Sequence, residues 1–152
     1  MIEADVLVEA KNWKKIIKNP NKQIKNILSK LPGRYKFIYR KVYITVLLTN
    51  NRRIKFLNNK FRKKNIPTDI LSFPFFNSKN LKKNMKNKKF YLGDIVISFE
   101  EFLKNNKSNY RNGFIKIFIH GFLHLLNFDH KTDKEHRAMN SIENKIFKKV
   151  KG

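Results

Sequence analysis

Three of the four histidines in this chain fall within one short stretch, "HGFLHLLNFDH", as His120, His124 and His130. Residues four apart stack on one face of an α-helix with Cβ atoms about 5–6 Å apart, so the imidazoles of His120 and His124 can converge on one ion. A third ligand at His130 requires the helix to end and the chain to turn back. Asn127 is one of the few residue types that tolerate the left-handed conformation of a helix C-cap. Phe128 can then anchor the turn in the core while Asp129 and His130 swing round. Two imidazoles on one face of a buried apolar helix are costly without a metal or another partner. The spacing points to a metal centre.

Structural zinc sites are usually closed by four protein ligands, commonly including Cys, and this chain has no cysteine. Three histidines leave one position for water, whose pKa a bound metal lowers towards about 7. An open, hydrolytic site for one zinc ion is the stronger reading, although three imidazoles also suit Ni, Cu or Fe. The same spacing occurs in the metzincin peptidases, where a Glu immediately after the first His acts as general base. Gly121 occupies that position here, which speaks against peptide hydrolysis. A third reading is a non-catalytic zinc protein. His136 lies in a charged stretch and reads as an exposed residue, not a fourth ligand.

The elements that must carry these residues follow from periodicity. "GFIKIFIHGFLHLL", residues 113–126, is strongly apolar and reads as a central buried helix. "IEADVLVEA" loosely alternates and suits an edge strand, while "KVYITVLLT" is β-branched and aromatic and makes a buried strand over 41–48. "NWKKIIKNPNKQIKNILSKL" has apolar residues at helical spacing, with Pro20 starting or interrupting the helix and Pro32-Gly33 stopping it. Thr49 or Asn50 can cap the next helix, whose apolar stripe is Ile54, Leu57 and Phe61, with Arg62 at its C-terminal end. Strands are expected over 69–75, ended by Pro74, and in "YLGDIVISF", where Gly93 permits a bulge. Residues 77–89, "NSKNLKKNMKNKK", show no period and read as a mobile basic loop. "FEEFLKNN" suits one or two helical turns, and "DKEHRAMNSIENKIFKKV" a final amphipathic helix. No linker or repeat divides residues 1–152, so one α+β metallo-hydrolase domain is expected.

Composition sets the outer bounds. With 152 residues and 41% hydrophobic content, the chain is long enough for one core and too apolar for wholesale disorder. No apolar run approaches a membrane span, "MIEADVLVEAKNW" lacks a signal pattern, and cysteine is absent, so a soluble cytoplasmic protein is expected. The net charge of +24 suits a polyanionic partner. The excess of Lys, Asn, Ile and Phe is also what an AT-rich coding sequence produces, so charge supports a nucleic-acid partner without establishing one.

Taken together, the motifs resemble a known family. "HGFLHLLNFDH" resembles the H-G-x-L-H-L-x-G-[YF]-D-H signature of the YbeY family of bacterial single-strand-specific metallo-endoribonucleases. "LNNKFRKKNIPTDILSFPF" is similar to that family's L-N-x-x-[YF]-R…P-T-D-V-L-S-F-P segment. "LGDIVIS" matches a third block, and Met139, Glu143 and Ile146 fit its C-terminal helix. The resemblance covers roughly residues 42–147 with the blocks in order. It departs at Asn127, where Gly is usual, and over 77–89 and 104–113.

The resemblance implies a small mixed four-stranded sheet flanked by helices, with zinc held by His120, His124 and His130 beneath a cleft. It implies cleavage of single-stranded RNA, maturation of the 3′ end of small-subunit (16S) ribosomal RNA, association with the ribosome or its small subunit, and a part in ribosome quality control. It also selects Arg62 as the residue that stabilises the phosphoryl oxygens, since a guanidinium offers a fixed fork of donors. Asp129 is expected to cap its turn in preference to orienting a ligand. Thr68, Asp69 and Ser72 shape the cleft or the turn, and Gly93 and Asp94 border the site or form an ordinary bulge.

Overall fold

The computed structural model describes residues 1–152. Its strands are β1 (Ile2–Val8), β2 (Lys41–Thr49), β3 (Ile70–Pro74) and β4 (Lys89–Ser98), in the sheet order β1-β2-β4-β3. β1 pairs parallel to β2, β2 parallel to β4, and β3 antiparallel to β4. The helices are α1 (Trp13–Ile16), α2 (Pro20–Ser29), α3 (Gly33–Lys36), α4 (Asn51–Arg62), α5 (Ser78–Asn84), α6 (Phe99–Asn105), α7 (Tyr110–Leu125) and α8 (Asp133–Lys151). This is the expected α+β architecture, a mixed four-stranded sheet with helices around it.

Alternation in β2 turns Val42, Ile44, Val46 and Leu48 to one side of the sheet, where all four are buried. α7 supplies the other half of that core with Phe114, Phe118 and Phe122, each almost wholly inaccessible. Full burial of such a side chain contributes about 1.5–3 kcal/mol, so this helix is fixed by its packing more than by its propensity. α7 lies against β3 and β4 on one side and α8 on another. Gly121 makes the approach to the sheet possible. A Cβ there would lie 2.6 Å from Ile70 Cδ1 and 3.2 Å from both Ile95 Cγ2 and Ser72 Oγ. The Ser72 hydroxyl donates to the Gly121 carbonyl at 3.0 Å, tying β3 to α7 beside the first histidine.

β1 is an edge strand as expected, and Pro20 starts α2, with the Asn19 side chain accepting from the Lys22 amide. Asn50, not Thr49, caps α4 by accepting from the Arg53 amide. Pro32-Gly33 follows the end of α2 but also opens the short α3. Two expectations need correction. Residues 77–89 are not a featureless loop: α5 occupies Ser78–Asn84, capped by Asn77. Its Leu81 is buried, and Met85, four residues on, packs on the same core. Two apolar residues at helical spacing therefore suffice to seat an otherwise Lys/Asn-rich turn. Phe61 also departs from the expected stripe. It is 59% exposed, while Ile54 and Asn58 are the buried positions of α4.

Candidate metal centre

α7 is apolar on nearly all sides, and His120 and His124 emerge where it meets the cleft beside β3. Its C-terminus is a Schellman turn. The Phe128 amide donates to the Leu123 carbonyl at 3.1 Å and the Asn127 amide to the His124 carbonyl at 2.9 Å. Asn127 takes the left-handed conformation, with φ 67°, and its side-chain amide donates to the Phe76 carbonyl at 3.0 Å. Phe128 packs on the core with its ring edge-on to Tyr35. The chain has then reversed, and Asp129 accepts from the His130 amide at 2.7 Å. That bond is the main reason the Asp129 carboxyl lies below its ordinary pKa, with Lys131 and the neighbouring histidines adding to it. Asp129 thus caps the turn, as expected. Thr132 next starts α8, accepting from the Glu135 amide while its hydroxyl meets the Glu135 carboxylate.

One nitrogen each from His120, His124 and His130 lies within 4.8 Å of the others, close enough for the three to hold one metal ion. The hydrogen bonds on the far sides of the rings decide which nitrogens are free. His124 Nδ1 lies 2.9 Å from the Phe128 carbonyl, which can only accept, so Nδ1 carries the proton. His120 Nδ1 lies 2.6 Å from Oε1 of the Glu143 carboxylate and is the donor there too. Both Nε2 atoms are then left with bare lone pairs facing each other at 3.1 Å. Two acceptors at that distance repel unless a cation lies between them, so the donor set fits a metal. Burial, and then the neighbouring His120 and His130, lower the His124 pKa, which keeps its ring neutral and able to ligate.

The histidines form one wall of an open cleft of about 540 Å³. Arg62, from the end of α4, lines the same cleft, as do Thr68, Asp69 and Ser72. Arg62 is exposed, with one long contact of 3.4 Å from Nη2 to the Ser72 carbonyl, so its guanidinium is largely free for an anion. The loop behind it is shaped by Lys63, left-handed at φ 58°, and by the buried Asn58, whose amide donates to the Ile66 carbonyl at 2.9 Å.

Gly93 and Asp94 stay out of the cleft. The β2–β4 register shifts between Tyr43 and Ile44, making Leu92 the extra residue of a bulge, and Gly93 takes φ 147°. A Cβ on Gly93 would lie 2.3 Å from the Phe73 carbonyl oxygen. Asp94 accepts from the Tyr91 hydroxyl and lines a separate apolar groove with Leu47 and Phe73. Burial, reinforced by Asp94, pushes the Tyr91 pKa up to about 12. His136 is exposed, its ring centroid 6.3 Å from that of His130, and it is not part of the three-histidine group.

The contact that sequence reasoning missed is Glu143. Its position in the C-terminal helix was visible, but not its bond to His120, which spans 23 residues. The one local signal was a carboxylate on the packing side of α8, between the buried Met139 and Ile146.

Comparison with known proteins identifies the chain's family. The family model described as Endoribonuclease YbeY matches residues 7–151, reaching well into the N-terminal segment where few motifs were legible. The Endoribonuclease YbeY of Pelagibacter ubique is 46% identical over 99% of this chain and 97% of its own length. That of Ehrlichia canis is 35% identical over 99% of this chain and 93% of its own. A solution structure from Thermotoga maritima superposes with a TM-score of 0.58 at 26% identity, covering 97% of this chain and 89% of the other. With the family model spanning almost the whole chain and relatives aligned over nearly full length, this chain belongs to the endoribonuclease YbeY family.

Proposed function

We propose that this protein is a zinc-dependent endoribonuclease that cleaves single-stranded RNA. In this reading it matures the 3′ end of 16S ribosomal RNA and serves ribosome quality control. It works in the cytoplasm on the ribosome or its small subunit, with residues 1–152 acting as one metallo-hydrolase domain. His120, His124 and His130 would hold one zinc ion. The observation that carries the reading is the shared cleft: a cluster of three metal-competent imidazoles and the exposed guanidinium of Arg62 line one mostly polar cleft. Relatives that bear the name endoribonuclease over nearly the whole chain supply the substrate class.

The chain's own groups divide the work. The Arg62 guanidinium binds the non-bridging oxygens of the scissile phosphate and stabilises the charge that grows there. The Phe128 carbonyl holds the Nδ1 proton of His124 and so keeps its Nε2 lone pair turned inward. Zinc, when bound, supplies Lewis-acid polarisation and an acidified water. Surface lysines add a salt-dependent, sequence-independent attraction for the RNA backbone. No helix is long and apolar enough to cross a membrane.

The test is cleavage of single- and double-stranded RNA by purified protein, with and without a chelator. Single strands are expected to be cut and chelation to abolish cutting. Undiminished cleavage by metal-free protein would sink the reading, and metal-dependent turnover of a peptide library would favour the peptidase alternative. Arg62→Ala is expected to lose about 10²–10³ in rate with zinc retained, and Arg62→Glu more. Retained zinc without any RNA cleavage by the wild type would favour a non-catalytic zinc protein.

A further inference from the structure

α8 is an amphipathic helix whose buried positions are Met139, Ile146 and Val150, with Ile142 and Phe147 partly buried beside them. Glu143 lies within that packing side and is itself only partly exposed. A carboxylate there is unfavourable unless it has a partner. In a chain with 35 Lys and Arg against 11 Asp and Glu, a lysine or arginine partner would be easy to supply. Glu143 instead makes its one ion-pair contact with His120 Nδ1, at 2.6 Å. Lys116, which shares a small side pocket with Glu143, directs its ammonium over the Phe147 ring, 4.8 Å from the centroid.

We propose that Glu143 is a positioning residue of the metal centre: from α8 it fixes the tautomer and ring plane of His120 on α7. The proposal rests on the metal-centre reading above. Its force comes from a contrast between the two helix-borne histidines. His124 is oriented by the Phe128 carbonyl, a backbone group of its own helix terminus that no side-chain substitution can delete. His120 sits a full turn earlier, inside the helix, where the carbonyls point along the axis towards main-chain amides, and its ring has only side-chain partners, Glu143 and His124. Its outer partner must come from another element, and α8 provides it. Without Glu143, His120 would be free to rotate about its side-chain torsions and to move its proton to Nε2. Either change removes the lone pair that the ion needs. Carboxylate partners of ligating histidines commonly matter by about 10–100-fold in metal affinity. A second consequence is linkage. Because Glu143 belongs to α8 and both helix ligands to α7, metal binding favours the docked arrangement of these two helices.

The experiment is chelator-competition titration with Zn²⁺ on wild type and on Glu143→Ala and Glu143→Gln, combined with nitrogen NMR of the histidines in metal-free protein at about pH 8, where imidazoles are neutral. Glu143→Ala is expected to lose roughly 10–100-fold in Zn²⁺ affinity. Gln keeps an acceptor oxygen and should recover part of that loss. The His120 signal should report Nδ1–H in the wild type and shift towards Nε2–H in Glu143→Ala, a change that a purely structural helix–helix contact would not produce. Thermal unfolding of the metal-free variants keeps the result interpretable: a folded variant with unchanged Zn²⁺ affinity and unchanged tautomer overturns the proposal. Failure of the wild type to bind Zn²⁺ at all overturns the metal-centre reading itself, and the proposal with it.

Discussion

The three histidines sit in two mechanically different regions. His120 and His124 rise from α7, which is locked by Phe114, Phe118 and Phe122, and each has an outer partner that fixes its ring. His130 stands on the turn beyond that helix, is exposed, and has hydrogen bonding assigned only to its backbone amide. The helix therefore presents a preorganised pair, while the third nitrogen arrives on a segment whose position depends on a few local bonds. A site built this way can hold its geometry on the core side and still admit an ion and a substrate from the cleft side. It also separates two kinds of damage: changes on the packed face of α7 should cost fold stability, and loss of the His130 side chain should cost metal affinity.

The largest effect expected on the metal-free fold is at Gly121. Valine there would put its Cβ 2.6 Å from Ile70 Cδ1 and add two methyl groups into the space held by Ile95 and Ser72. Overpacking of this kind costs about 1–3 kcal/mol. Denaturant unfolding of Gly121→Val should show that loss with metal absent and again with metal bound. Wild-type stability in this variant would mean that α7 is not pressed against the sheet, and the contrast between a packed pair and an exposed third would fail. The same crowding gives a structural reason for the missing peptidase base. A glutamate at 121 would have to push aside the Ile70, Ile95 and Ser72 side chains before it could do any chemistry.

Asn127 lies at the boundary between the two regions, so its expected effect is intermediate. Alanine at φ 67° bears the cost of the left-handed conformation and loses the bond to the Phe76 carbonyl. Together these suggest a loss of about 1–2 kcal/mol for Asn127→Ala. Asn127→Gly should recover the backbone part and leave only the hydrogen-bond part. If glycine were instead no better than alanine, the left-handed backbone would not be what sets the turn, and the loss common to both variants would belong to the side-chain bond to Phe76.

What could be read from the sequence divides along the same line. β2, α7 and the left-handed Asn127 are written in local patterns: β-branched runs, an apolar helix, a residue type suited to one backbone conformation. The histidine cluster was legible because spacing on one helix is itself geometry. Glu143 was not, because its meaning depends on how α8 docks on α7, and a carboxylate on the packing side of α8 does not name a partner 23 residues away. α5 was missed for a related reason. Leu81 and Met85 are too few to make a period, and only the core they reach shows that they are enough. Phe61 failed in the opposite direction. Its spacing places it near the face of Ile54 and Leu57, but it stays largely exposed, its ring against Phe73 at a centroid distance of 5.3 Å and beneath the Lys60 ammonium at 5.4 Å.

The smallest effect on the metal-free fold is expected at His130, and it is the one that sharpens the comparison most. The imidazole is exposed and no side-chain hydrogen bond is assigned to it, so His130→Ala should leave metal-free stability within about 0.5 kcal/mol of wild type. Its amide bond to Asp129 survives, because that bond uses the backbone. Zn²⁺ affinity, in contrast, should fall by more than the roughly 10–100-fold loss typical of an outer partner, since a ligand itself is gone. The two readouts must separate: denaturation curves of the metal-free proteins superimpose, while the extra stability conferred by added Zn²⁺ shrinks in the variant. If His130→Ala instead destabilised the metal-free protein as much as Gly121→Val, the turn would be part of the folded core. The third histidine would then be as preorganised as the other two, and the site would have to be understood as one rigid cage.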